Sequence, residues 1–359
     1  MEKVRILELF GGIGACSKAL ERLGIDYEIA DYVEIDKYAV ASFNAIHGSN
    51  FVPQDITKWG KEIECDLVMH GSPCQDFSIA GKQAGGDAGS GTRSSLMYET
   101  LRIVDKLKPK YVIWENVKNL LSQKHWHNFD AYLESMERLG YKNYYQVLNA
   151  KNYGVPQNRE RVFTISIRTD LSKNFVFPEP IPLERRLKDM LEDNVAEKYY
   201  LTEDRLNAIR VWEDRQKANG RGFRFEVKDG DAIGRSITTS GDRPCSTNYV
   251  AIRTANKTSY DIAIDGDGVD LAYPESNTRR GRVGHGVSKT LPTSDSQGVL
   301  DGARIRKLTP KECWRLMGFD DADFDKASKV NSNTQLYKQA GNSIVVNVLE
   351  AILGELLCK

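Results

Sequence analysis

The chain begins with an apolar run, Val4–Phe10 (VRILELF), that reads as a strand. Glycines at 11, 12 and 14 form a turn, and Ala15–Leu23 follows with helical spacing until Gly24 ends it. Ile25–Val33 reads as the next strand. Asp66–His70 and Tyr111–Trp114 are short apolar runs of the kind that form buried strands. Amphipathic stretches near Ser94–Leu107 and Asn128–Leu139 read as helices, and Tyr144–Asn149 and Arg161–Arg168 complete the strands. The alternation predicts an α/β fold, a largely parallel sheet with helices on both faces. After Phe177–Pro182 the pattern changes to helical stretches and then short β-like runs broken by Gly, Ser, Thr and Asp. That predicts a second, smaller, loop-rich domain. Ser343–Leu357 is strongly apolar and predicts a helix that packs on the first domain.

Length agrees with two domains: 359 residues exceed the usual size of one. Charge adds an exclusion. Fifty Lys and Arg balance fifty Asp and Glu, so the chain does not coat nucleic acid by overall charge, and any such surface is a local patch. The six cysteines are scattered without a CxxC pair, which predicts neither a disulfide framework nor a metal site and fits a cytoplasmic protein. The N-terminus lacks a cleavage-type segment, and no uninterrupted run of about 18 apolar residues predicts a membrane span.

Candidate chemistry starts at the first turn. Leu9-Phe10-Gly11-Gly12-Ile13-Gly14 joins a strand to a helix, where glycines allow close backbone approach and the helix start offers free N–H groups. Glu34 stands at the end of the second strand, placed to accept hydrogen bonds from ribose hydroxyls. Ser17 occupies the third glycine position of the dinucleotide fingerprint, which favours a nucleoside ligand without a pyrophosphate. Asp55-Ile56 either holds an adenine amino group and ring face or caps a helical turn before Thr57.

Cys74 follows the strand Asp66–His70 within Gly71-Ser72-Pro73-Cys74-Gln75, at the strand end where open α/β sheets bind ligands. A thiolate there is a competent nucleophile. Five glycines between 81 and 91 make the next segment a candidate lid, the alternative being a plain surface loop. Glu115 ends another strand, facing the same crevice or capping the next turn. Arg159 and Arg161 are expected on opposite sides, one serving the site and the other bracing the domain.

Together these motifs resemble the DNA (cytosine-5)-methyltransferase family. Phe-Gly-Gly-Ile-Gly, Pro-Cys-Gln, Glu-Asn-Val and Gln-Asn-Arg-Glu-Arg occur in the family's order. After a long variable region come Arg282–Ser294, Leu308–Phe319 and Gln339–Ser343. The resemblance spans the chain except roughly residues 181–275. It implies a Rossmann-like methyltransferase sheet and S-adenosylmethionine as cofactor, without a metal. Phe10, Gly12, Gly14, Glu34, Ile35, Asp55, Ile56, Pro73, Asn342 and Ser343 would line the cofactor pocket. Ile35 stands where the family often has Trp beside the adenine. Cys74, Glu115 and Arg161 would be catalytic, with Arg159 mainly structural.

The resemblance also implies a division of the chain. Residues 1–180 and 331–359 would form the catalytic domain, 181–300 the target-recognition domain and 301–330 a hinge region. Lys82, Gln83 and Arg93 near the loop, and Arg243, Arg253 and Lys257 in the middle region, are candidate DNA contacts. The expected partner is double-stranded DNA, bound by a monomer of bacterial or phage type, with a cognate restriction endonuclease as a candidate companion. RNA methylation, a non-catalytic DNA-binding regulator and a nucleotide-dependent oxidoreductase are the rival readings. The absence of a Cys-Phe-Thr tripeptide, the presence of Cys74, Glu115 and Arg161, and the missing third glycine weigh against them in turn.

Overall fold

The computed structural model describes residues 3–73, 93–199, 233 and 308–358, with short strands between 227 and 307 as backbone. Its centre is a six-stranded sheet. The strands are β1 (Val4–Leu9), β2 (Tyr27–Val33), β3 (Leu67–His70), β4 (Tyr111–Val117), β5 (Tyr141–Asn149) and β7 (Glu160–Arg168), in the order β2-β1-β3-β4-β7-β5. A two-residue strand, β6 (Gln157–Asn158), precedes β7 and pairs with Gly234–Arg235. The sheet is parallel from β2 through β4, but β7 runs antiparallel to both β4 and β5. One reversed strand therefore interrupts the expected parallel pattern.

Alternate residues of each strand feed two apolar layers, which is why the strands read as continuous apolar runs. Ile6, Leu67, Met69, Ile113 and Ile165 pack with α1 (Ala15–Arg22) and α8 (Val346–Leu357). Leu7, Val68, Val112 and Trp114 pack with α3 (Met97–Leu107) and α4 (Trp126–Arg138) on the other face. Helix α2 (Lys37–His47) was not expected from the pattern. It is capped by Asp36, whose carboxylate accepts from Tyr38 N, and ends at Gly48 in the left-handed region.

Residues after 307 add α5 (Pro310–Arg315), α6 (Asp321–Ser328) and α7 (Asn333–Asn342). Trp314, Leu316 and Ala327 belong to the α1/α8 layer, as do Leu187 and Met190. The core thus takes in residues from the stretches expected to be hinge and middle domain. The stretch Asn333–Leu357 is long and apolar enough to cross a membrane by composition, but it breaks between α7 and α8, and half of its apolar window is buried. Within the middle region, Tyr249–Val250 pairs with Val227–Lys228 and Arg306–Lys307, and Gly268–Asp270 pairs with Val283–Gly284 and Gln297–Val299.

Candidate functional site

The strand order reverses at β1: the chain passes from β1 to β2 on one side, then returns to β3 on the other. Ligands in open α/β sheets bind beyond the strand ends at such a switch point. The Gly11–Gly14 turn after β1 and the Gly71-Ser72-Pro73 segment after β3 both lie there.

Strand β2 and the residues after it hold the glycine turn at the two peptide groups that flank the Gly12 α-carbon. The Gly12 N–H donates to Glu34 Oε2 at 3.2 Å, and the Tyr32 hydroxyl donates to the Gly12 carbonyl at 2.6 Å. Glu34 Oε1 accepts the Asp36 N–H at 2.9 Å. Burial holds the Glu34 carboxyl above its ordinary range, against the opposing pull of these backbone donors. The glycines differ in what they face. A Cβ on Gly12 (φ +56°) would meet nothing within 4 Å, whereas one on Gly14 (φ +82°) would lie 2.3 Å from His47 Nε2. Gly12 therefore faces open space and Gly14 packs against α2. Phe10 adopts φ +53°, an uncommon value for a residue with a side chain and one that clusters at functional turns. Ser17, in place of a third glycine, donates its N–H and hydroxyl to the buried Glu8.

Backbone and side-chain contacts bring Asp55 and helix α7 near Glu34. Gln54 N donates to the Glu34 carbonyl at 2.8 Å, which sets Asp55 beside Glu34. Asp55 Oδ1 caps the short turn Ile56–Lys58 through Thr57, so the capping alternative is realised on that oxygen. Ile56 is buried and Ile35 is 69% exposed. Lys338 pairs with Asp36 at 2.6 Å, and Gln339 donates to the Tyr38 carbonyl at 2.9 Å, which anchors α7 near Glu34. Asn342 ends that helix exposed, and Ser343 is buried. An open face over Gly12, a fixed carboxylate and an exposed apolar residue fit a nucleoside-bearing cofactor.

Glu115 lies near the end of β4, before Asn116 and Val117. It is 9% exposed, and Oε1 sits 3.1 Å from Arg161 Nε on β7. Val117 pairs directly with Arg161, so Glu115 is its diagonal neighbour across the ladder. Burial raises the Glu115 carboxyl above its ordinary range, while Arg161 and Arg159 pull it down. Glu115 Oε2 would lie 3.8 Å from a Cβ on Gly71, at the foot of the Cys74 segment. The two arginines do not point to opposite sides. Residues two apart on extended chain share a face, and both border one small cavity with Glu115, Phe163 and Ile344. Arg159 is 4% exposed and donates to the carbonyls of Gly341 at 3.1 Å and Ser343 at 2.9 Å, bracing β7 against the α7–α8 junction.

Two contacts were not anticipated. Trp114 Nε1 donates to Ser72 Oγ at 3.0 Å, and Asn116 Nδ2 donates to the Ser72 carbonyl at 3.4 Å. They hold the residues just before Pro73, which is half-buried. The Glu-Asn-Val motif contained the signal for Asn116; nothing in the sequence pattern marked the Trp114–Ser72 pair. Cys74, Lys82, Gln83, Arg243, Arg253 and Lys257 lie outside the described residues, as does the side chain of Arg93.

The family model for C-5 cytosine-specific DNA methylases matches residues 4–358. The chain belongs to this family. It is 34% identical to the orphan methyltransferase M.SPRI of Bacillus phage SPR, covering 99% of this chain and 98% of the relative. It is 33% identical to the type II methyltransferase M.HhaI of Haemophilus parahaemolyticus, covering 97% and 93%. Among solved structures, the S. pombe Dnmt2 methyltransferase aligns with a TM-score of 0.66 at 19% identity over 99% and 98% of the two chains. The Entamoeba histolytica methyltransferase EhMeth aligns at 0.68 and 16% identity over 100% and 99%. The chain is thus a DNA cytosine-5 methyltransferase with the α/β fold of its class, and membership implies S-adenosylmethionine as methyl donor and DNA as substrate.

Proposed function

We propose that this methyltransferase modifies carbon 5 of a cytosine flipped out of double-stranded DNA, through a covalent bond between Cys74 and carbon 6. The observation that carries the reading is the pairing of buried Glu115 with half-buried Arg161 beside Gly71, three residues before Cys74. Carbon 5 of cytosine is a poor nucleophile. Addition of the Cys74 thiolate to carbon 6 pushes an electron pair into the ring and makes carbon 5 nucleophilic. Glu115, with its carboxyl raised by burial, is suited to hold a proton at N3 and to accept from the exocyclic amine. Arg161 is suited to bind the O2 carbonyl. Bound S-adenosylmethionine supplies an electrophilic methyl group on its sulfonium. Loss of the carbon-5 proton to solvent, with departure of the Cys74 sulfur, then restores the aromatic ring. A stacked base offers no access to either ring carbon, which is why flipping is required.

The cofactor would lie over Gly12, with Glu34 on the ribose, Phe10, Ile35, Asp55 and Ile56 around the adenine, and Pro73, Asn342 and Ser343 completing the pocket. The region 181–300 would read the target sequence, with Arg243, Arg253 and Lys257 as candidate base or phosphate contacts. Lys82, Gln83 and Arg93 would contact DNA from the loop. The reading places a monomer in the cytoplasm. Base-resolution methylation sequencing of plasmid DNA from a methylation-deficient host expressing this chain tests it. Methylcytosine confined to one short motif, and absent with Cys74→Ala, is the expected result. An unmethylated plasmid despite folded, cofactor-binding protein would overturn it in favour of an RNA substrate or a regulatory role.

A further inference from the structure

We propose that Asp31 is a positioning residue for the cofactor, because its single carboxylate ties down both ends of the segment that carries Asp55 and Ile56. The inference rests on the cofactor assignment proposed above.

Asp31 sits within β2 and is 2% exposed, an unusual place for a carboxylate unless it is fully partnered. An irregularity in the ladder puts it there. Ile6 pairs with Ile29 but Leu7 pairs with Asp31, so Ala30 is an extra residue on β2. The bulge turns Asp31 onto the Leu7 face, the layer that also holds Val33, Ile56, Trp59 and Val68. There Oδ1 accepts from Gln54 Nε2 at 3.1 Å, and Oδ2 accepts from Trp59 Nε1 at 2.7 Å. Lys61 Nζ pairs with Oδ2 at 2.8 Å.

Gln54 and Trp59 bracket the Asp55–Lys58 stretch. Gln54 is held further by its hydrogen bonds to the carbonyls of Tyr32 and Glu34. Arg102 of α3 donates to the Ile56 carbonyl at 2.9 Å from the other side. Without the Asp31 acceptor, the buried Trp59 indole N–H loses its only hydrogen bond among the described residues, and one end of the bracket is released. Asp31 is buried beneath the segment, so its effect reaches the ligand only through the placement of Asp55 and Ile56.

The test compares wild type, Asp31→Ala, Trp59→Phe and Glu34→Ala by calorimetric binding of S-adenosylhomocysteine. Steady-state kinetics and amide exchange across residues 54–59 accompany it. Asp31→Ala is expected to weaken binding about tenfold, the equivalent of one hydrogen bond to a charged group. It should raise the cofactor KM alike, speed exchange at 54–59, and leave kcat at saturating cofactor and KM for DNA at wild-type values. Trp59→Phe keeps the ring and removes only the donor, and it should show the same split with a smaller loss. It also serves if Asp31→Ala does not fold. Wild-type affinity in both variants, or a loss of kcat without a change in affinity, overturns the inference. If Glu34→Ala also binds normally, the cofactor assignment itself falls and takes the inference with it. If Glu34→Ala loses binding while the other two do not, only the role of Asp31 is lost.

Discussion

The two carboxylates proposed to serve the cofactor and the base, Glu34 and Glu115, are held in opposite ways. Glu34 is fixed by neutral backbone donors, the N–H groups of Gly12 and Asp36, and all of these partners come from the β1 turn and the chain just after β2. Glu115 is fixed by a guanidinium that strand pairing brings from 46 positions further along the sequence. Burial pushes both carboxyls up, but only Glu115 has cations pulling it back. Backbone donors set a geometry and leave the carboxylate free to accept more hydrogen bonds, which suits a residue that binds hydroxyls. A neighbouring guanidinium makes the proton affinity adjustable, which suits a residue that must favour a protonated ring.

The comparison predicts that the two residues act on different kinetic constants. Glu115→Ala should lower kcat about 100- to 10,000-fold while S-adenosylhomocysteine binds as in wild type. Glu34→Ala should weaken cofactor binding about tenfold or more and raise the cofactor KM further than it lowers kcat. Single-turnover rates at saturating cofactor, set beside calorimetric affinities, separate the two. If both variants lose affinity and keep their single-turnover rate, the division between the two residues is wrong. Arg159→Ala tests the brace beside Glu115. It removes two charge-assisted bonds to buried carbonyls and should destabilise the fold by about 2–4 kcal/mol in urea titration. A loss confined to kcat, without a change in stability, would instead make Arg159 a partner of the base.

The same contrast explains what was legible beforehand. The glycine turn, Glu34 and the Asp55 cap are local devices, and local devices leave spacing in the sequence. The sheet's central strands were legible because both of their faces are buried. The reversed direction of β7 was not, since an apolar strand carries no mark of its polarity within a sheet. Nor was the common face of Arg159 and Arg161 drawn from their spacing, although strand periodicity contains it. Asp31 was hidden for a different reason. A one-residue bulge decides which layer it enters, and a bulge at Ala30 has no glycine to announce it. The Trp114–Ser72 contact joins the middle of β4 to the residues just after β3, which are neighbours only once the sheet has formed.

A buried carboxylate outside the proposed site, Glu8, supplies the reference for Glu34 and Glu115 and the smallest expected effect. Glu8 lies on β1, 2% exposed, and accepts from the N–H and hydroxyl of Ser17. Burial pushes its carboxyl up to about 7, against the pull of these donors. The folded state thus holds a proton that the unfolded chain, with an ordinary carboxyl, releases near pH 4.5. The contribution to stability is complete below that value and is lost as pH rises through about 7. Between pH 6 and 8 the loss integrates to about 1.4 kcal/mol. Glu8→Gln keeps an acceptor for Ser17 and removes the titration. Across this range the wild type should therefore lose about 1.4 kcal/mol of stability relative to the variant, as read by denaturant midpoints at each pH. An identical pH profile in both proteins would show that Glu8 does not titrate within the folded state over this range.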